Sequence, residues 1–354
     1  MMLSKEEIER YSRQLILPEI GTAGQLKLQK AKVLVIGAGG LGCPVVQYLA
    51  AAGIGKLGIV DGDLVEASNL QRQVLYTGED IGQPKAMVAA GKMQLLNPFI
   101  EVQPYAFTVT KNNVVSLFED YDLVIDGSDN FATRYLVNDA CVITGKPLVF
   151  GSIFKFEGQV SVFNLGAGPT YRCVFPEPPR NEDAPDCATI GVIATLPGIV
   201  GTLMANEVIK LVTGIGETLS GRLLLINALN LQMQEFRFEA VTANKQIVQL
   251  SDYETLCASL PNDTISYESW KAMNEEERVE LIDVRELAER EIFNIGGQHI
   301  PLSQLSDKAT RLNPMQAYVL YCASGLRSAK AVNILKEMGF SRVMSLANGI
   351  NGMR

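Results

Sequence analysis

The sequence predicts an α/β chain: a doubly wound, mostly parallel sheet domain over residues 1–250, then a smaller α/β domain over 263–354. Three observations carry this. A short β-branched run, Val33-Leu34-Val35-Ile36, breaks into Gly37, Gly39 and Gly42 and feeds an apolar helical stretch, fitting G-x-G-x-x-G between a strand and a helix. Strands and helices then alternate to about Ser152, the pattern of a parallel sheet with helices on both faces. A second strand–loop–helix series follows a polar stretch at 251–262 that reads as a linker. A length of 354 residues suits two domains, each with its own core.

Residues 1–31 read as helical, with Ser4 and Glu7 spaced as a capping box and Arg13 just before Leu15-Ile16-Leu17. After the glycines, Pro44 sits in a first helical turn, where its missing N–H costs nothing, and Gly53 ends that helix. Leu57–Val60 is a second strand ending at Asp61, and a polar loop, DGDLVEASNLQRQVLY, follows. A helix runs from about Pro84 to Leu96 and stops at Asn97-Pro98. Ile100–Tyr105 reads as a strand and Val114–Glu119 as a helix. Leu123-Val124-Ile125 is a buried strand ending in Asp126-Gly127-Ser128-Asp129-Asn130. A helix spans Phe131–Thr144 and a strand begins at Pro147. Gln159–Phe163 and Tyr171–Val174 read as strands. Phe175–Asp186, rich in proline and charge, is a loop that delivers Cys187 to an apolar helix, Leu196–Val212. A strand at Arg222–Asn227 and a polar piece to about Gln249 close the first domain. In the second, Glu280–Arg285 is a strand ending in charge. Ala317–Tyr321 is another, running through Cys322-Ala323-Ser324-Gly325-Leu326-Arg327 into a helix, Ser328–Met338.

The bulk numbers exclude several classes. A net charge of −8 argues against a nucleic-acid binder, which needs a basic face. The charged N-terminus carries no signal peptide. The longest apolar stretch, Ile190–Val212, is interrupted by Asn206, Glu207 and Lys210, so it reads as a buried helix and no membrane contact is expected. The six cysteines lie far apart with no C-x-x-C, neither a disulfide framework nor a zinc ribbon, and they suit a reducing cytoplasm. The single histidine is His299, read as structural. The first domain therefore has no histidine base, and its chemistry must rest on charge and position.

The strand ends bring chemistry together. The glycine turn and the helix behind it offer N–H groups and a positive dipole end to an anion. Asp61 suits ribose hydroxyls. Gly40, Asn69, Arg72 and Lys85 lie on or near the same strand ends, and two cations plus a helix N-terminus suit a triphosphate. Asp129 suits a Mg ion bridging phosphates, because Mg is held by few protein oxygens. Cys322 ends a strand and opens a loop feeding a helix; inward N–H groups of Ala323–Arg327 and the Arg327 charge would lower its thiol pKa and could hold a persulfide or a phosphate.

RYSRQLILPEIG, VIGAGGLG, DGDLVEASNLQRQ, the lysine of GQPK and DGSDN together resemble the adenylating enzymes of sulfur-carrier activation. These are the molybdopterin-synthase and thiamine-biosynthesis adenylyltransferases, relatives of ubiquitin-activating enzymes with a Rossmann-like domain. LIDVREL and YCASGLRSAKAVNIL resemble a rhodanese-like sulfurtransferase domain. The resemblance implies an ATP site at Gly40, Asp61, Ser68, Asn69, Leu70, Gln71, Arg72, Lys85, Asp129 and Asn130. It implies that Arg13 reaches the phosphates of a neighbouring subunit, hence a homodimer. It places Cys187 on a cysteine that forms a covalent link to the carrier, and Cys322 on the persulfide cysteine of the loop Cys322–Arg327. Two departures stand out. Where the family often has C-x-x-C, this chain reads Thr170-Tyr171-Arg172-Cys173, and no pair follows Ala240, so no structural zinc is expected. Ala-Thr-Ile follows Cys187 where the family usually has an acid and small residues.

The expectation is ATP-dependent adenylation of the C-terminal glycine of a small ubiquitin-like carrier ending in Gly-Gly. Sulfur from a persulfide donor then gives a thiocarboxylate. The pathway, molybdopterin, thiamine or another, stays open. The rivals are an NAD-dependent oxidoreductase and a non-enzymatic binding module.

Overall fold

The computed structural model describes residues 2–178, 191–251, 253, 263–276, 279–323, 325–347 and 349–350. The chain divides into two compact units, Met1–Cys257 and Ala258–Arg354.

The first unit starts with α1 (Lys5–Arg10), α2 (Ser12–Leu15) and α3 (Gly21–Lys30). The capping box forms: Ser4 Oγ accepts from the Glu7 N–H and Glu7 Oε2 from the Ser4 N–H. There follow β1 (Lys32–Ile36), α4 (Gly42–Ala52), β2 (Lys56–Val60), α5 (Lys85–Leu96), β3 (Glu101–Tyr105), α6 (Val114–Glu119), β4 (Leu123–Asp126), α7 (Phe131–Thr144), β5 (Leu148–Phe154), β6 (Glu157–Phe163), α8 (Leu196–Thr213), β7 (Arg222–Asn227) and β8 (Gln232–Arg237). Among the described residues the strands form one eight-stranded sheet, ordered β3-β2-β1-β4-β5-β6-β7-β8. It is parallel from β3 to β5 and antiparallel from β5 to β8.

Each face of the sheet is covered by apolar helix surface. On one, Val45, Val46 and Leu49 of α4 pack with Val200, Met204 and Val208 of α8. On the other, Phe118 of α6 and Tyr135 and Val137 of α7 pack with Phe150, Phe163 and Tyr171. α8 is long and apolar enough to cross a membrane by composition, and half of it is buried in this core. The glycine turn is required by close approach. Gly37 has φ +88, and a Cβ on Gly42 would lie 1.9 Å from the Gly37 carbonyl oxygen.

One expectation fails here. Tyr171–Cys173 is a 3₁₀ turn, not a strand. Cys173 Sγ accepts from the Thr170 N–H and closes the turn, while the buried Tyr171 ring stands edge-on to Tyr135 at 5.2 Å. β8 lies in the stretch read only as a polar piece; all six of its residues are exposed, so no buried face marks it as a strand. Tyr253 falls in the stretch read as a linker. It is buried on the first unit, its hydroxyl bonded to Asp139. α7 also grips the segment after the 3₁₀ turn. Asp139 takes two bonds of 2.8 Å from Arg172, and the Tyr135 hydroxyl bonds the carbonyls of Phe175 and Glu177.

The second unit runs β9 (Thr264–Ile265), α9 (Tyr267–Glu276), β10 (Val279–Asp283), α10 (Leu287–Ile292), β11 (Gln298–His299), α11 (Leu305–Ala309), β12 (Ala317–Tyr321), α12 (Leu326–Glu337) and β13 (Val343–Leu346). Its parallel sheet is ordered β11-β10-β12-β13-β9. β10 stops at Asp283, short of the expected Arg285, because Arg285 folds back onto that carboxylate at 2.9 and 2.7 Å. α12 starts two residues earlier than expected, at the positive φ of Gly325.

Candidate functional site

β1 lies between β2 and β4, and the chain leaves it toward β2 before returning to β4. Connections diverge at such a point, and a crevice opens beyond the strand ends. The cleft there encloses about 390 Å³, the size of a small-molecule site. Gly37, Gly39 and Gly40 form its floor, Asp61 and Lys85 one wall, and Gly127–Asn130 the opposite wall.

Asp61 ends β2. Its Oδ2 accepts from the Ala38 N–H and its Oδ1 from the Asp63 N–H, both at 2.8 Å, which leaves a lone pair on each oxygen for a hydroxyl donor. Burial pushes its carboxyl pKa up, against the opposing Lys85 charge. Lys85 opens α5 and is buried; its Nζ lies 3.0 Å from Asp63 Oδ2. Arg72 donates to the Ser68 carbonyl at 3.1 Å and lines the cleft. Asp129 stands exposed at the mouth. Asn130 caps α7: its Oδ1 accepts from the Thr133 N–H at 2.8 Å, so its amide N–H₂ is the part left for a ligand.

The expected site is only partly gathered. Gly40, Asp61, Gln71, Arg72, Lys85, Asp129 and Asn130 line the cleft; Ser68, Asn69 and Leu70 do not. Those three build the turn that carries Arg72. Asn69 Oδ1 accepts from the Glu66 N–H and the Asn69 carbonyl from the Arg72 N–H, while Leu70 packs on the core. Arg13 is exposed on α2 and does not line the cleft of its own chain. Cys187 lies outside the described residues. Sequence reasoning missed Asp63, Gln73, Arg134 and Lys155, which also line the cleft. A lone polar residue in a loop or helix carries no signal of its own. Asp63 alone was legible, two residues beyond the acid that ends β2.

In the second unit Cys322 follows β12 and is 1% exposed. Its Sγ accepts from the Gly325 N–H at 3.1 Å, and Ser328 Oγ lies 3.6 Å away. The sulfur therefore faces the N-terminus of α12, a setting that favours an anion. The Arg327 charge, expected to serve the thiol, is bound to Glu289 through two bonds of 2.6 Å. A carboxylate thus shares that charge with the thiol, and the Gly325 N–H adds a direct bond to the sulfur. Ala323 is half-buried; Ser324 and the side chain of Leu326 lie outside the description. His299 Nε2 lies 2.8 Å from the Arg285 carbonyl, a structural contact.

The zinc expected to be missing is tested by the groups around Cys173. Its sulfur accepts from the N–H groups of Thr170 (3.4 Å) and Val241 (3.3 Å) and lies 3.7 Å from Asn244 Nδ2. One thiol beside a hydroxyl, an amide and a backbone N–H is no tetrahedral zinc set. Burial opposes ionisation of Cys173, but bonds from Thr170, Val241 and Asn244 outweigh it and bring the thiol below its ordinary value.

Comparison with known proteins follows the same division. The ThiF family model matches residues 11–247 and the rhodanese-like domain model residues 266–354. The chain is 44% identical, over 98% of its length and 93% of the relative's, to the probable adenylyltransferase/sulfurtransferase MoeZ of Mycobacterium tuberculosis. It is 51% identical to the sulfur carrier protein adenylyltransferase of Thermus thermophilus, over 73% of this chain and 99% of that one. It is 39% identical to the adenylyltransferase and sulfurtransferase MOCS3 of Danio rerio, over 97% and 83%. Among solved structures, E. coli MccB with ATP aligns with a TM-score of 0.59 at 23% identity, covering 69% of this chain and 75% of that one, a likeness of fold.

Proposed function

The chain belongs to the ThiF family and ends in a rhodanese-like domain, and from that premise we propose that it adenylates the C-terminal glycine of a small ubiquitin-like sulfur carrier and then converts it to a thiocarboxylate. It is an enzyme with adenylyltransferase and sulfurtransferase activities, as its relatives are named. The observation that carries the reading is the convergence of Asp61, Arg72, Lys85 and Asp129 on one cleft at the glycine turn. Asp61 binds the ribose. A carboxylate oxygen of the carrier attacks the α-phosphorus, the bond to the β-phosphate oxygen breaks, and pyrophosphate leaves. Arg72 and Lys85 neutralise charge on the phosphates, joined by Arg13 of a second copy in a homodimer. Asp129 supplies hard oxygen donors, so it and the phosphates would hold a Mg ion, which supplies further charge neutralisation. In the second unit a persulfide on Cys322 attacks the acyl carbon and AMP leaves. The Cys187 thiolate is assigned the attack on the Cys322 sulfur of the acyl disulfide: the thiocarboxylate leaves, and an external dithiol reduces the Cys187–Cys322 disulfide that forms.

The carrier is taken to be of the molybdopterin-synthase type, with a thiamine-pathway carrier as the alternative. A reducing cytoplasm fits the free thiols of Cys43, Cys141, Cys173 and Cys322. NAD-dependent hydride transfer is not favoured, because the relatives are named adenylyltransferases. The test is ATP–pyrophosphate exchange with each purified small protein ending in Gly-Gly from the source cell. Exchange with one of them is expected, and its identity assigns the pathway. Reduction of a nicotinamide cofactor without exchange would sink the reading, and ATP binding without exchange would favour a binding module. Sedimentation of the purified chain as a monomer would remove Arg13 from the site.

A further inference from the structure

The turn that carries Asp129 hangs between two buried charges. Asp126, the last residue of β4, is 1% exposed. Its Oδ1 accepts from the Ser128 N–H at 2.9 Å and from Ser128 Oγ at 2.6 Å, while its Oδ2 has no partner among the described residues. Across the turn stands Arg134, 6% exposed, one helical turn into α7 and lining the cleft. Its guanidinium lies 5.2 Å from the Phe131 ring centre and 5.6 Å from that of Phe150, which fixes its plane. Its Nη2 reaches the Ser128 carbonyl at 3.4 Å, and its Nε has no partner among the described residues. One serine is therefore held at its N–H and hydroxyl by an acid and at its carbonyl by a base. The next two residues are Asp129 and Asn130.

We propose that Arg134 is a positioning residue of the adenylation site: it compensates the buried Asp126 carboxylate and so holds the 127–130 turn that aims Asp129 and Asn130 into the cleft. A buried carboxylate is costly unless a cation offsets it. Burial pushes the Asp126 carboxyl pKa up, the Arg134 charge and the Ser128 bonds oppose that, and Asp129 adds to it. Without Arg134 the acid would be stranded, and the serine that both groups hold would be free to move. The inference rests on the reading of this cleft as the adenylation site.

The test is steady-state ATP–pyrophosphate exchange with the full chain and the Gly-Gly-ending protein that supports exchange in the native enzyme. Arg134→Met should lower kcat by on the order of 10²-fold, the cost of a misplaced catalytic group, with KM for ATP changed by less than about threefold. Adding Asp126→Asn removes the stranded charge and keeps an acceptor for Ser128, so the double variant should recover about tenfold of that loss. Arg134→Lys, which keeps the charge, should fall between native and Arg134→Met. A rise in KM without a fall in kcat would make Arg134 a nucleotide ligand and overturn the proposal. A double variant no more active, or no better folded, than Arg134→Met would overturn charge compensation. A native chain that exchanges with no carrier would defeat the reading of the cleft instead, which keeps the two failures apart.

Discussion

Replacing Lys85 by methionine separates what holds the fold from what drives the reaction. The lysine side chain is 7% exposed, but its partner Asp63, at 3.0 Å, is 75% exposed. When the ammonium is removed the Asp63 carboxylate is already in water, the buried Asp61 loses the charge that opposes its raised pKa and can take up a proton, and methionine refills the path of the unbranched stem. The pair is then worth no more than an exposed one, under about 1 kcal/mol, or a fall in Tm of about 2–4 °C for a unit of this size. The phosphates are a different partner. A unit charge about 4 Å away interacts by about 4 kcal/mol at an effective dielectric constant of about 20, and the developing charge of the transition state meets it in a cleft that bound ATP would dry. Lys85→Met should therefore slow exchange by about three powers of ten while the protein melts almost as before. The assays are radiolabelled pyrophosphate exchange and thermal unfolding followed by circular dichroism. Exchange within about tenfold of native in a chain that melts normally would refute the electrostatic role. A large fall in Tm would show that the Lys85 charge is structural after all, through the buried Asp61.

Four other outcomes are expected. Asp129→Ala should abolish exchange in a protein that stays folded, because the carboxylate is exposed and supports no packing; near-native exchange would end its role at the phosphates. Cys322→Ala should remove sulfur transfer from thiosulfate or persulfide and leave pyrophosphate exchange intact, and equal transfer by both proteins would reject the sulfurtransferase reading. Purified protein should hold less than one zinc per chain by elemental analysis. At neutral pH iodoacetamide should label Cys173, whose pKa is lowered, well before Cys43, whose burial pushes its pKa up to about 12; stoichiometric zinc or the reverse order of labelling would count against the hydrogen-bonded thiol.

The first strand, its glycine turn and the helix behind it were legible because each rule points the same way: β-branched residues, glycines at close approaches, then an apolar helical face. The acid at Asp61 was legible for the same reason, since strand ends collect polar groups. β8 was not, because no face of it is buried and period-2 patterning needs one buried face. The 3₁₀ turn at Tyr171 was misread because aromatic residues suit both a strand and a packed turn. Arg134 was invisible because its role depends on an acid eight residues earlier that only the fold brings opposite. The pairing of Arg327 with Glu289 was not legible, because that partner lies 38 residues away in sequence. Local rules report what a residue is, and the partner that uses up its charge is set by topology.

α7 joins two places usually considered apart. Its N-cap, Asn130, belongs to the nucleotide cleft. Tyr135 and Asp139, further along the same helix, hold the peptide at 172–177 that leads in sequence toward Cys187. A helix rises about 1.5 Å per residue and hardly compresses, so these grips are spread over about 14 Å of a single push rod. The end of the helix that faces the cleft and the stretch that holds the chain leading in sequence toward Cys187 are thus parts of one stiff element.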